Sequence, residues 1–281
     1  MNETQRKAVE VFAALHKAGC FVIPNPWDMG SAIYLQHLGF KALASTSSGF
    51  AFSQGWTDTS SAALLAAVLV HLRDIVQATS VPVNADFRNG YADEPEGVAA
   101  NVALCVATGV AGLSIEDSTE DSTTPLYDIQ LAVERIKAAR RAIDASGVPV
   151  ILTGRCEAWL TGDPNALKTS IERLTAYAEA GADCLFAPGV SDPREIEAIV
   201  KAVSPKPVNV LASRPDQTFT VARLADLGVR RISVGSALAR VAWGAFMRAA
   251  QSIATTGSFE SLGEGAAFTD LITVFQKRDH P

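Results

Sequence analysis

The feature that most constrains this chain is an alternation of form. Eight short runs of β-branched and apolar residues recur along it: Cys20–Pro24, Ala42–Thr46, Val81–Asp86, Gly112–Glu116, Val148–Thr153, Cys184–Ala187, Pro207–Leu211 and Arg231–Val234. Between them lie longer stretches rich in Ala, Leu, Glu, Arg and Lys, such as Leu131–Ala145 and Ile171–Ala180. Strands joined by helical crossovers pair in parallel. Eight such units predict an α/β fold, a closed (β/α)8 TIM barrel rather than an open sheet. The length of 281 residues agrees, since one such barrel takes about 250. Residues 1–281 are therefore expected to form a single barrel domain, with 237–281 as a C-terminal helical extension. Gly39, Gly181 and Gly228 each fall after a helix and before a strand, where a left-handed cap is needed, and Gly109 does so before the fourth strand. An opening helix, about Thr4 to Ala18, is placed to close the barrel's bottom, and Ser191-Asp192-Pro193 reads as a helix start.

Composition narrows the function classes. The chain is 48% apolar and 19% charged, which is globular. Its net charge of -6, without any basic block, argues against a nucleic-acid partner. The longest apolar run, Ala62 to Val70, is too short to span a bilayer, so no membrane role is expected. The opening MNETQRKAVEVF has no apolar signal core, so a cytoplasmic protein is expected. Cys20, Cys105, Cys156 and Cys184 are widely spaced and read as buried apolar residues in a reducing compartment.

A barrel's chemistry sits at the C-terminal ends of its strands. The first strand runs into Asn25-Pro26-Trp27-Asp28 and the second into Ser45-Thr46-Ser47-Ser48-Gly49. The third carries Asn84-Ala85-Asp86-Phe87-Arg88, the fourth Ser114-Ile115-Glu116-Asp117, the fifth Thr153-Gly154-Arg155-Cys156-Glu157, and the seventh Asn209. Period-two alternation turns Asp86, Glu116 and Arg155 inward to one cavity. Arg155 paired with Glu116 or Glu157 would merely hold loops in place. Carboxylates on adjacent strands can instead share a hard cation, and oxygen donors without a histidine cluster favour Mg2+, with Mn2+ possible. Arg155 then suits a substrate carboxylate. Asp58 reads equally as a helix N-cap or a site residue. The Ser45–Gly49 stretch is a polar, flexible loop whose N–H groups could hold an anion.

Other barrel chemistries fit less well. None of the lysines falls at a strand's C-terminal end, as a Schiff-base aldolase requires. His16, His37, His71 and His280 lie in helical stretches or the tail. No glycine-rich nucleotide fingerprint occurs, and alternation turns Cys156 toward the helices.

These strand-end motifs, in this order from about residue 20 to 240, resemble the isocitrate lyase/phosphoenolpyruvate mutase superfamily. The resemblance implies a barrel whose last helix is swapped with a neighbour, in a homodimer or homotetramer. It implies Mg2+ and a small-molecule 2-oxo carboxylate. It makes Asp86 the direct metal ligand, with Asp58 and Glu116 holding the metal through water and counting among the catalytic residues. Arg155 becomes the catalytic arginine on the substrate's carboxylate and enolate oxygen. Ser45, Thr46 and Ser47 become the substrate-carboxylate loop, Trp27 a wall of the pocket, and Asn84 and Asn209 polar residues near the substrate.

Three departures set this chain apart within the superfamily. Asn84 stands where an aspartate is common, which removes one charge from the metal site. The lyase signature loop with its cysteine is missing after the fourth strand. In its place runs an acidic loop with Asp117, Glu120 and Asp121, which would repel a phosphoryl group if it pointed inward. The expected activity is a Mg-dependent lyase or decarboxylase on an oxaloacetate-like 2-oxo acid, through a metal- and arginine-stabilised enolate. The alternatives are P–C bond mutase or hydrolase chemistry on a phosphonopyruvate-like substrate, and non-catalytic 2-oxo acid binding. Glu157 and Trp159 are expected to help choose the C3 substituent.

Overall fold

The computed structural model describes residues 3–58, 62–119, 121–215 and 219–279. Its eight strands are β1 (Phe21–Ile23), β2 (Leu43–Ala44), β3 (Val83–Asp86), β4 (Gly112–Glu116), β5 (Ile151–Arg155), β6 (Cys184–Phe186), β7 (Val208–Leu211) and β8 (Arg231–Ser233). All neighbours pair in parallel, in the order β1-β8-β7-β6-β5-β4-β3-β2. Between β1 and β2, the Ala44 N–H donates to the Pro24 carbonyl at 3.0 Å and brings the two ends of the sheet together. The (β/α)8 TIM barrel expected from the alternation is the fold observed.

Helix α1 (Glu3–Lys17) precedes β1, and α2 (Met29–His37), α3 (Ser47–Ser53), α4 (Ala62–Ala78) and α5 (Pro95–Val106) follow β1 to β3. Helices α6 (Ile129–Ser146), α7 (Ala166–Glu179), α8 (Pro193–Val203) and α9 (Val221–Asp226) follow β4 to β7. After β8 come α10 (Ala237–Thr256), a short 3-10 turn at Glu260–Glu264, and α11 (Phe268–Asp279). Among the described residues, no helix is long and apolar enough to cross a membrane.

Three strands begin later than their apolar runs because a proline lies at or near the start of the run. Pro82, Pro149 and Pro207 have no N–H to give to a ladder, so β3, β5 and β7 begin after them. The shift is largest at β5, where Val150 N–H turns back to the Val148 carbonyl at 2.8 Å and the ladder starts at Ile151. The left-handed glycines are as expected: Gly39, Gly109, Gly181 and Gly228 have φ of 87°, 100°, 105° and 86°. Pro193 opens α8 and Asp192 caps it.

Helix α1 plugs the bottom of the barrel. Phe12 is fully buried, and its ring lies so close to Gly112 that a Cβ there would sit 2.7 Å from it. Burying such a ring contributes about 2 kcal/mol. His16, one turn on, stacks edge-on against Phe12 and Phe21. Outward-facing Leu113, Ile115, Leu152 and Val210 join the helices in the main core. The C-terminal segment behaves differently. Ala239 is the only buried residue of α10, while Val241, Phe246 and Met247 are 69%, 61% and 60% exposed. Helix α11 packs against α2, with the Phe275 ring beside Gly30.

Candidate active site

A cavity of about 380 Å3 opens at the C-terminal ends of the strands. Its carboxylates are Asp58, Asp86, Glu116 and Glu157, and its guanidiniums are Arg88, Arg155, Arg214, Arg231 and Arg240. Asn25, Ser45, Thr46, Ser47, Ser48, Asn84 and Ser114 supply neutral polar walls, and Leu160, Phe186 and Leu211 the apolar ones.

Arg155, at the end of β5, organises the acidic half. Its Nε donates to Glu157 Oε1 at 2.5 Å. Its Nη1 lies 3.1 Å from Glu116 Oε2 and 3.2 Å from Asp86 Oδ1. Its cation also faces the Phe186 ring, 5.3 Å from the centroid. Nη2 has no protein partner among the described residues. Burial disfavours the charge of Arg155, but Glu116, Glu157 and Asp86 outweigh it and hold the guanidinium firmly protonated. Three carboxylates around one cation leave negative charge in surplus. Burial raises Glu116 above the ordinary carboxyl range against the pull of Arg155, and pushes Glu157 up to about 7. The loop-holding ion pairs expected as the simpler role of Arg155 are therefore present, and they sit inside the cavity.

Asp86 is also gripped from β2. Its N–H donates to Ser45 Oγ at 2.9 Å, and its Oδ2 accepts from the Ser47 N–H at 2.9 Å. The Ser45–Gly49 stretch is thus not a flexible loop: Ser47 opens α3, and Thr46 caps it by accepting from the Gly49 N–H at 3.2 Å. Local chemistry favours the helix, because a threonine hydroxyl satisfies an amide that the first turn would leave orphaned. Asp58 belongs to the cavity, where it pairs with Arg88 and accepts from Ser48 Oγ. Arg88 is a non-glycine residue at φ 48°, strained backbone just after β3. Behind that loop, buried Arg135 on α6 donates to the carbonyls of Asn89, Ala92 and Asp93 and lies 4.0 Å over the Tyr127 ring.

Several expected site residues are placed elsewhere. Asn209 does not line the cavity; its amide donates to Ser233 Oγ and its carbonyl accepts from Arg231 Nε, both at 2.9 Å. Trp27 is not a cavity wall either. It is half-buried behind α3, where its Cβ approaches Gly49. Trp159 packs against the core, and its neighbour Leu160 reaches the cavity instead. Asp117 turns away from the site: it bonds the Tyr177 hydroxyl at 2.6 Å, Arg173 at 3.1 Å and the Glu157 N–H at 2.8 Å. Asp121 is exposed and braces its own turn through Thr123, and Glu120 lies outside the described residues. Electrostatic repulsion of a phosphoryl group by this loop therefore has no support from Asp117 or Asp121. Cys156 faces the helices as expected, 3.5 Å from Ser170, with burial pushing its thiol up.

Among the described residues, no three His, Cys, Asp or Glu side chains converge as a direct metal cluster. Asp58, Asp86 and Glu116 nevertheless share one cavity and offer only hard oxygen donors. That suits Mg2+, which keeps several waters and takes one or two carboxylates directly. Asn84 adds a buried Oδ1 with no hydrogen-bond partner beside Asp86. Sequence reasoning gave no site role to Arg88, Arg214, Arg231 or Arg240, although Arg88 closes the third strand's motif and Arg231 is a charged residue inside a strand.

Fold and site together define a (β/α)8 barrel with an acid-and-arginine cavity at its strand ends. The phosphoenolpyruvate phosphomutase family model matches residues 12–254, and the chain belongs to that family, within the isocitrate lyase/phosphoenolpyruvate mutase superfamily. Superfamily members are enzymes, lyases and mutases. A putative lyase/mutase from Burkholderia cenocepacia is 44% identical, with TM-score 0.92 over 98% of this chain and 97% of that one. An uncharacterised Mycobacterium tuberculosis protein is 35% identical over 232 residues, 80% of this chain and 81% of that protein. An oxaloacetate decarboxylase of Rhodopseudomonas palustris is 32% identical over 211 residues, 72% of this chain and 68% of that protein. A phosphonopyruvate hydrolase solved with oxalate and Mg++ shares the fold at 23% identity and TM-score 0.83, over 97% and 96% of the two chains.

Proposed function

We propose that the protein is a Mg2+-dependent decarboxylase or lyase of an oxaloacetate-like 2-oxo acid. The observation that carries this reading is Arg155, held at the cavity by Asp86, Glu116 and Glu157 with Nη2 left for a ligand. The similarity to an oxaloacetate decarboxylase supports it.

Asp86 would hold the metal directly, and Asp58 and Glu116 through water. Mg2+, when bound, draws electron density from the 2-oxo group. Arg155 orients the substrate carboxylate and donates to the oxo oxygen as charge grows there, so its hydrogen bond strengthens toward the transition state. Ser45, Thr46 and Ser47 shape the carboxylate's end of the cavity, and Asn84 its floor. In decarboxylation the C3–C4 bond breaks, its electron pair enters the C2–C3 enolate, and CO2 departs. No base is needed for that step. Water protonates C3 and pyruvate forms. Leu160, Phe186 and Leu211 form the apolar part of the cavity wall and limit water there.

P–C bond chemistry is a second reading, because Asp117 faces Arg173 and Tyr177 rather than the cavity. A panel of oxaloacetate, substituted 2-oxo acids and phosphonopyruvate, with Mg2+, separates the readings. Pyruvate without phosphate supports decarboxylation, and phosphate release supports P–C cleavage. Bound ligand with no product at high enzyme leaves a 2-oxo acid-binding protein.

The chain is also proposed to act as a homodimer or homotetramer, with the apolar face of α10 seated on a neighbouring copy. Its long row of exposed apolar residues supports this.

A further inference from the structure

The most unusual group below the cavity is Arg231, the first residue of β8. It is only 3% exposed yet forms part of the cavity lining. Its Nε donates to Asn209 Oδ1 at 2.9 Å, its Nη2 to Thr153 Oγ1 at 3.0 Å, and its Nη1 lies 3.3 Å from His16 Nε2. No carboxylate among the described residues pairs with it. His16 brings no negative charge: burial, then Arg231 itself, lowers the imidazole to about 3, and Nδ1 sits 2.8 Å from the Phe12 carbonyl. Nδ1–H therefore donates to that carbonyl and Nε2 accepts from Arg231. The protein has surrounded a buried cation with neutral acceptors only. A guanidinium carries five N–H donors, so one on each terminal nitrogen is left over.

Position matters as much as charge. Thr153 shares a ladder rung with Ser114, and Ser114 shares one with Asp86. It stands two residues before Arg155 on the same inward face, a rise of about 6.6 Å. A ligand held at its 2-oxo carboxylate by Arg155 would therefore have Arg231 beneath it. Burying an uncompensated charge is costly unless an anion completes it.

We propose that Arg231 receives the second carboxylate of a dicarboxylic substrate, making it the residue that distinguishes dicarboxylic from monocarboxylic 2-oxo acids. This rests on the 2-oxo acid reading of the cavity and deepens it.

Malate and lactate differ only in the second carboxylate, and neither is consumed by the proposed reaction. Calorimetric titration with each, in Mg2+, reads the difference directly, with oxalate as the probe of the Arg155 end. The wild-type protein should bind malate at least about tenfold more tightly than lactate. Arg231→Met should bring that ratio close to one while oxalate affinity stays within about twofold. A ratio unchanged by Arg231→Met, or no preference in the wild type despite oxalate binding, overturns the role of Arg231. Failure of oxalate to bind the wild type would instead overturn the 2-oxo acid reading. If Arg231→Met does not fold, Arg231→Lys decides. Lysine keeps the charge but loses the fork, so the ratio should fall severalfold, and an unchanged ratio overturns the proposal.

Discussion

Glu157 holds the Nε of Arg155 at 2.5 Å, two residues further along the same strand end. Asp117 fixes Glu157 in turn through its backbone N–H, and Tyr177 and Arg173 fix Asp117. The arginine that faces the ligand is thus positioned by a chain of contacts reaching back to α7. Nη1 is occupied by Glu116 and Asp86, so Nη2 is the arm this chain leaves to a substrate.

That chain has a pH signature. Burial raises the Glu157 carboxyl from 4.5 to about 7, so falling pH protonates it early and releases Nε of Arg155. Activity should decline on the acid side with an apparent pKa near 7. Stability runs the other way. Between pH 4.5 and about 7 the folded state holds a proton that the unfolded carboxyl has lost, so the Glu157 contribution favours folding less as pH rises. Glu157→Gln should lower kcat about 10- to 100-fold and remove the acid limb from the pH–rate profile. A mutant profile with the same limb would assign it to another group.

Asn84 leaves its buried Oδ1 unpartnered next to Asp86. Asn84→Asp would place a second carboxylate there. Without metal it should destabilise the fold by roughly 3 kcal/mol, because a buried charge lacks a partner. Mg2+ should restore the loss and bind about tenfold more tightly than to the wild type. Thermal unfolding across a Mg2+ titration measures both effects.

Helix α10 presents Val241, Phe246 and Met247 to solvent in the single chain. An apolar face of this kind is the mark of an interface. Sedimentation should show the wild type as a dimer or larger, and Phe246→Glu should shift it toward monomer at micromolar concentration. A wild-type monomer would contradict the interface.

The parts legible in the sequence were those governed by local rules. Period-two alternation put Asp86, Glu116 and Arg155 inward, and glycine placement marked the helix ends. What escaped depends on long-range geometry. Arg88 enters the site through a strained left-handed backbone and a partner, Asp58, thirty residues away. Asn209 does face the barrel interior, but the pattern says nothing of Arg231, which takes up its carbonyl. Nor does a strand-end motif show that Trp27 sets its Cβ against Gly49 on α3. Ser45–Gly49 reads as a loop by composition, yet the Thr46 cap turns it into a helix start.

The most direct test of the account is the initial rate of pyruvate formation from oxaloacetate, measured with Mg2+ and with chelator against an enzyme-free Mg2+ control. Turnover well above that control is expected, abolished by chelator and by Asp86→Ala. Turnover equal to the enzyme-free rate, or unchanged in Asp86→Ala, would contradict it.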